Sequence, residues 1–213
     1  MKIQKMPVAP IGANCYIVSE ADAAFIIDPG GDAEKIIKAA KSFDVHYILL
    51  THTHFDHIGG LNDVKKAFPK AKTAVHKLEK EWLYSTALNF SEEFGFSFVY
   101  EKNVDIELDD GMALGFAGTK INILHTPGHT LGSTCFYIER SEKCDDHVLF
   151  SGDTLFRSSI GRTDFPGGSG KKIIESIKTK LLILPDDTVV YPGHDENTSI
   201  SLEKKLNPFL NRI

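Results

Sequence analysis

Between residues 51 and 60 the chain reads Thr51-His52-Thr53-His54-Phe55-Asp56-His57-Ile58-Gly59-Gly60, which puts four metal-capable side chains, His52, His54, Asp56 and His57, within six residues. Residues 45–50 ahead of it are a β-branched and aromatic run and predict a buried strand. Leu61, Val64, Lys65 and Phe68 behind it fall at helical spacing, so the run occupies a strand-to-helix turn. Residues two apart on an extended backbone point the same way, which lets His52 and His54 chelate one ion. Asp56 and His57, adjacent at the helix start, project toward a different point, so the segment feeds two metal positions. A lone histidine in a polar turn is ordinary surface chemistry. Three histidines and an aspartate between a strand and a glycine pair are very hard to obtain by drift.

A zinc-type ion takes about four ligands, and a catalytic site leaves one position for water. The missing ligands recur in one context. His129 follows the apolar residues 121–124 in Thr126-Pro127-Gly128-His129; Asp153 follows 148–150 in Ser151-Gly152-Asp153-Thr154; His194 follows 187–190 in Tyr191-Pro192-Gly193-His194. Each candidate stands just past an apolar strand, where open α/β sheets gather their sites. Singly each could be a turn residue; together they make seven ligands.

With these residues in view, the chain resembles the metallo-β-lactamase-fold hydrolases, and most of all glyoxalase II and its short single-domain relatives. The resemblance runs from Asn14-Cys15-Tyr16 and Asp28-Pro29-Gly30 to Pro208-Phe209-Leu210. Its most specific marks are His-X-His-X-Asp-His at 52–57, Pro-Gly-His at 127–129, Gly-Asp-Thr-Leu-Phe at 152–156, Gly-Arg-Thr-Asp-Phe at 161–165 and Pro-Gly-His at 192–194. It implies a four-layer αββα sandwich in which His52, His54 and His129 hold one metal, Asp56, His57 and His194 hold the other, and Asp153 bridges them. Two divalent ions are expected, zinc first, with iron or manganese as alternatives. Asp28, ending a strand, and Arg162 and Asp164, in a glycine-rich loop, are expected to brace the ligands.

The formal net charge of −5, with both signs mixed along the chain, argues against nucleic acid or an anionic membrane surface as the partner. Cys15, Cys135 and Cys144 form no Cys-X-X-Cys pair, which argues against a disulfide framework and a thiolate metal site and fits a reducing cytosol. No signal-peptide-like or membrane-spanning apolar run is present, so a cytoplasmic protein is expected. Residues 1–213 suit a single domain.

In chain order, residues 1–28 predict two or three antiparallel strands, and Asp32 is expected to cap a helix carrying Ile36, Ile37, Ala40 and Phe43. Residues 72–76 read as a strand ending in His76. Residues 77–100 read as helix-prone and then aromatic, part of them walling the site. Residues 121–124, 134–138 and 148–150 read as strands, and 173–183 as a helix with apolar positions at Ile173, Ile174, Ile177, Leu181 and Leu182.

Two ions about 3.5–4 Å apart form a hydrolytic device: water between them is acidified, a carbonyl is polarised and the developing oxyanion is stabilised. The expected reaction is attack of a metal-bridging hydroxide, aimed by Asp56, on a thioester such as S-D-lactoylglutathione. A thiolate leaves without a dedicated acid, and none is evident. The β-lactamases of this fold commonly carry Cys at the place of Asp153, and the flavodiiron proteins carry Glu at that of His54. Nineteen residues follow His194, whereas full-length glyoxalase II adds a helical glutathione-binding domain there, so weak dependence on the glutathione moiety is expected. The alternatives are a persulfide dioxygenase with mononuclear iron, which shares the seven positions, and a lactone hydrolase.

Overall fold

The computed structural model describes residues 1–210. The chain divides into two compact units, Met1–Leu108 and Asp109–Ile213, each built on its own six-stranded mixed sheet.

In the first unit, β1 (Lys2–Val8), β2 (Ala13–Glu20) and β3 (Ala23–Ile27) form the expected antiparallel opening, and β4 (Asp44–Leu49), β5 (Lys72–His76) and β6 (Ile106–Leu108) add in parallel. The sheet order is β1-β2-β3-β4-β5-β6, the same as the chain order. Helix α1 (Ala33–Ala40) crosses from β3 to β4, while α2 (Phe55–Ile58) and α3 (Leu61–Ala67) cross from β4 to β5. The core of the unit joins Ile17 and Ile26 of the sheet, Ile36 of α1, Leu61 and Val64 of α3, and Val75 of β5.

Asp32 does not cap α1 with its side chain. Its φ of +47° turns the carboxylate away from the helix amides, and it accepts instead from the Lys35 ammonium at 2.9 Å and the Ala9 amide at 3.3 Å. Helix α1 stops at Ala40, and Phe43 packs against the core from the turn that follows. Residues 77–100 hold one short 3-10 turn, Lys80–Tyr84, and otherwise irregular chain; positive φ at Phe90 and Gly95 is incompatible with a longer helix.

The second unit has the order β14-β13-β10-β9-β8-β7, from β7 (Ala113–Phe116), β8 (Thr119–His125), β9 (Thr134–Ile138), β10 (Val148–Gly152), β13 (Val189–Pro192) and β14 (Thr198–Ser199). A two-strand ribbon, β11 (Leu155–Phe156) and β12 (Ser159–Ile160), stands apart from the sheet. Helix α4 (Gly170–Ser176) passes into a π-turn over Ile177–Leu181 in place of the continuous helix expected over 173–183. The buried residues Ile173, Ile177 and Leu181 recur every four positions, longer than the 3.6-residue turn of an α-helix, and the wider turn keeps them on one buried face. Helix α5 (Ile200–Leu206) ends the secondary structure among the described residues. No helix there is long and apolar enough to cross a membrane.

Two mixed sheets, each with its own helices, give the α/β content expected of an αββα protein, unit by unit.

Candidate metal centre

In the first unit the site is built at the C-terminal ends of parallel strands. β3 delivers Asp28, whose amide donates to the Leu49 carbonyl of β4 at 3.0 Å, and β4 delivers the run beginning at Thr51. Thr51, His52, Thr53, His54, Asp56 and His57 are all buried. The imidazoles converge, with ring centroids 4.7 Å apart for His52 and His54 and 4.1 Å for His52 and His57. Gly30 must lack a side chain, because a Cβ there would lie 1.6 Å from the Asp56 carbonyl oxygen.

Asp28 determines how two of these rings are protonated. Its Oδ1 accepts from the Thr51 amide at 2.8 Å, and its Oδ2 accepts from the Thr51 hydroxyl at 2.6 Å and from His57 Nδ1 at 3.0 Å. A carboxylate only accepts, so His57 carries its proton on Nδ1. The Thr51 hydroxyl has given its hydrogen to Asp28, so its contact with His52 Nδ1 at 3.1 Å is one in which the ring donates. In their neutral form both imidazoles then present Nε2 as the lone pair, the form a metal ligand needs. The atoms of Asp28, His52 and His57 lie close enough to suit an ion themselves. With its oxygens taken by three donors, Asp28 is assigned to bracing rather than to ligation.

A further carboxylate, not singled out in the sequence, holds the same turn. Glu79 is fully buried just past β5, and its Oε2 accepts from the Thr53 amide at 2.7 Å and the Thr53 hydroxyl at 2.8 Å. Thr53 lies between His52 and His54, so Glu79 fixes the backbone that sets their spacing. Its position beyond the C-terminal end of a parallel strand is the signal that could have found it; the charged run Lys77 to Glu81 reads instead as a solvated helix.

In the second unit, β8 and β10 both run antiparallel to β9, and β10 is parallel to β13. The three chain ends carrying His129, Asp153 and His194 therefore emerge on one edge. The Gly193 amide donates to the Gly152 carbonyl at 2.8 Å, which sets Asp153 and His194 side by side. Oδ2 of Asp153 lies 3.6 Å from Nε2 of His129 and 3.6 Å from Nε2 of His194. His129 Nδ1 donates to the Arg162 carbonyl at 2.8 Å, again leaving Nε2 as the lone-pair nitrogen. The close pass of that loop requires Gly161, where a Cβ would meet the Asp153 carbonyl oxygen at 1.8 Å.

Arg162 thus contributes its backbone carbonyl. Its guanidinium forms a two-pronged pair with the exposed Asp164 at 2.8 and 2.7 Å and lies 3.8 Å over the Phe165 ring. That pairing draws the Asp164 carboxyl down to about 2. The side chains of Arg162 and Asp164 brace each other and the loop, and the ligand is held by the peptide between.

The donor set fits divalent ions. His129 Nε2 faces a carboxylate oxygen at 3.6 Å, and His57 Nε2 faces Asp56 Oδ2 at 3.4 Å. These are acceptors set against acceptors, too far apart for a hydrogen bond. Two ligands on one tetrahedral ion with bonds of about 2.0–2.2 Å stand about 3.4 Å apart. Burial pushes the Cys135 thiol up to about 11 and raises Cys15 well above its ordinary value, so both remain neutral core residues.

The Metallo-beta-lactamase superfamily profile matches residues 8–194. The chain belongs to that superfamily. Superfamily relatives match it from end to end: the probable metallo-hydrolase YqgX of Bacillus subtilis is 39% identical over 213 residues, covering 99% of this chain and 98% of that protein. The hydroxyacylglutathione hydrolase GloC of Haemophilus influenzae is 39% identical over 221 residues, covering 99% of each. The crystal structure of the BLEG-1 B3 metallo-β-lactamase superposes with a TM-score of 0.92 at 39% identity, covering 99% of this chain and all of that one. The di-iron-bound TTHA1623 gives 0.82 at 33% identity, covering 97% and 100%. The fold is that of the metallo-β-lactamases, and the chain is a metallo-hydrolase of that superfamily with histidine and aspartate clusters able to bind metal.

Proposed function

We propose that the chain hydrolyses thioesters of the S-D-lactoylglutathione kind, with His52, His54 and His129 around one divalent ion, Asp56, His57 and His194 around a second, and Asp153 shared. The observation that carries this reading is Asp153, one of whose oxygens faces two imidazole nitrogens at equal distance. The likeness to GloC, a hydroxyacylglutathione hydrolase, and to TTHA1623, which was crystallised with two irons bound, supports it. Such a pair of ions supplies an acidified water, a polarised carbonyl and a counter-charge for the oxyanion.

The chain's own groups do the rest. Asp28 and the Arg162 carbonyl fix the orientation of His57 and His129 through their Nδ1 atoms. Buried Asp56 accepts a hydrogen bond from the attacking water and aims its oxygen at the thioester carbon. The C–O bond forms, the C–S bond breaks, and the electron pair leaves on sulfur. A thiol of ordinary pKa, about 8.5, departs as thiolate without a proton donor. The proton lost from the acidified water goes to solvent and that of the new carboxyl group passes to the thiolate, so the products are a carboxylate and the thiol.

The test is metal analysis joined to a substrate panel on metal-loaded protein. About two ions per chain are expected, with Asp153→Ala losing both and His194→Ala mainly one. S-D-lactoylglutathione should lead a simple lactone and a β-lactam, with weak dependence on the glutathione part. One iron per chain, with oxygen consumed alongside a glutathione persulfide, overturns the reading in favour of a dioxygenase. A dominant rate on the β-lactam selects a second reading, which the likeness to BLEG-1 favours.

A further inference from the structure

Within the first unit, beside Phe55 of α2 and Gly59 just after it, lies a pocket of about 330 Å³. Its walls come from Ala9 and Pro10 after β1, Phe55 of the metal turn, and Phe96, Ser97 and Phe98 of the irregular segment. Among the described residues no charged side chain lines it. Phe55 is stacked by Phe94 and Phe96, with centroids 4.6 and 5.5 Å away and ring planes within 24° and 19°. Phe94 and Phe96 nevertheless leave 49% and 48% of their surface to solvent, so an occupant can still bury aromatic area.

The pocket is preformed. The Asn89 carbonyl accepts from the Phe55 amide at 2.9 Å, and the Asn89 side chain donates to the Phe98 carbonyl at 3.1 Å. Ser91 holds the other wall, its carbonyl accepting from the Phe96 amide at 2.7 Å and its hydroxyl from the Phe98 amide at 3.1 Å. A concave, apolar, prearranged site of this volume is of ligand-binding size. Its wall residue Phe55 stands in sequence between the two candidate ligands His54 and Asp56.

We infer that this pocket receives the acyl group of the thioester, and that medium aliphatic or aryl acyl groups are preferred to the small polar lactoyl group. This rests on the thioester reading above. The chemistry of the walls selects the acyl side. Thiols that carry acyl groups in cells bear carboxylates or phosphates, whose burial against uncharged walls is costly, whereas an alkyl or aryl chain is matched by stacked rings. A charge-free pocket therefore fits the acyl end and leaves the thiol end toward solvent.

The test compares acetyl, lactoyl, hexanoyl and benzoyl thioesters of one thiol, N-acetylcysteamine, on the metal-loaded full chain. kcat/KM should rise about four-fold for each fully buried methylene until the pocket is filled. Phe96→Ala and Phe96→Arg should bring the hexanoyl-to-acetyl ratio at least ten-fold toward unity. Binding of the uncleavable S-hexyl-N-acetylcysteamine thioether is read by calorimetry in parallel. Turnover with a ratio unmoved by either variant overturns the pocket while the hydrolase reading stands. Thioether binding that Phe96→Arg abolishes, without turnover of any thioester, upholds the pocket and overturns the hydrolase. A dimer in sedimentation that Phe96→Arg dissociates, with no acyl preference, assigns the face to a second copy of the chain and overturns the inference.

Discussion

Replacing Asp28 by asparagine should move the ring proton of two candidate metal ligands, His52 and His57, with one change. The amide keeps a single acceptor, which preserves the bond from the Thr51 backbone and places an N–H pair where Oδ2 now receives the Thr51 hydroxyl and His57 Nδ1. Two hydrogen bonds to a charged acceptor are worth about 3–6 kcal/mol together. Rotation of the Thr51 hydroxyl to accept from the new amide recovers roughly half, leaving a net loss of about 2–3 kcal/mol in metal-free protein, or about 4–12 °C in Tm. The rotated hydroxyl then donates to His52 Nδ1, and His57 Nδ1 accepts from the amide, so both rings carry the proton on Nε2 and cannot ligate until it is moved. Metal affinity should fall about 10- to 100-fold. Nitrogen-detected NMR of the imidazoles in metal-free protein reads the tautomers, and competition with a chelator reads the affinity. Both rings remaining protonated on Nδ1 in the variant, with affinity within about two-fold of the parent, would refute the relay from Asp28 through Thr51.

Glu79→Gln and Thr53→Val should each weaken metal binding by up to about ten-fold, and the double variant should cost little more than either alone, since both remove one buried connection; a double-mutant cycle on chelator competition measures this. Gly161→Ala should destabilise the chain by more than about 2 kcal/mol and reduce metal content, because the added methyl displaces the loop whose carbonyl holds His129, as denaturant melts and elemental analysis would record. Asp164 should titrate near 2 by NMR and rise toward the ordinary carboxylate value in Arg162→Ala, its own backbone hydrogen bond keeping part of the depression. Its folded value is the depressed one, so the pair's contribution is present above the ordinary carboxylate range and is lost as the pH falls through about 2.

The seven ligand candidates stood out in the sequence because each lies in a turn or short helix that follows a strand, where a side chain type and a local pattern coincide. His129, Asp153 and His194 fall on one edge because β8, β10 and β13 share a direction, which apolar runs followed by glycine turns already suggest. Strands over 72–76 and 134–138 were legible to the residue because their β-branched and aromatic side chains are buried on a sheet with little to compete. What escaped was fixed by contacts distant in sequence. Glu79 reaches Thr53 across 26 positions, and its neighbours are those of an exposed helix. Asp32 has the residue type of a cap, and a backbone angle that no local propensity announces removes it from that role. In Arg162 the charged side chain drew attention, whereas the bond to His129 comes from the peptide, which every residue possesses.

The strand order of each sheet repeats the order of synthesis, apart from the small ribbon of β11 and β12. Every new strand leaving a ribosome therefore finds its partner already made and adds to an exposed edge. By residue 108 the first sheet is complete, and with it Asp28, Glu79 and the four ligand candidates beside them. Three histidines and an aspartate of the candidate set, with the two carboxylates that position them, thus belong to a stretch of chain that ends before His129.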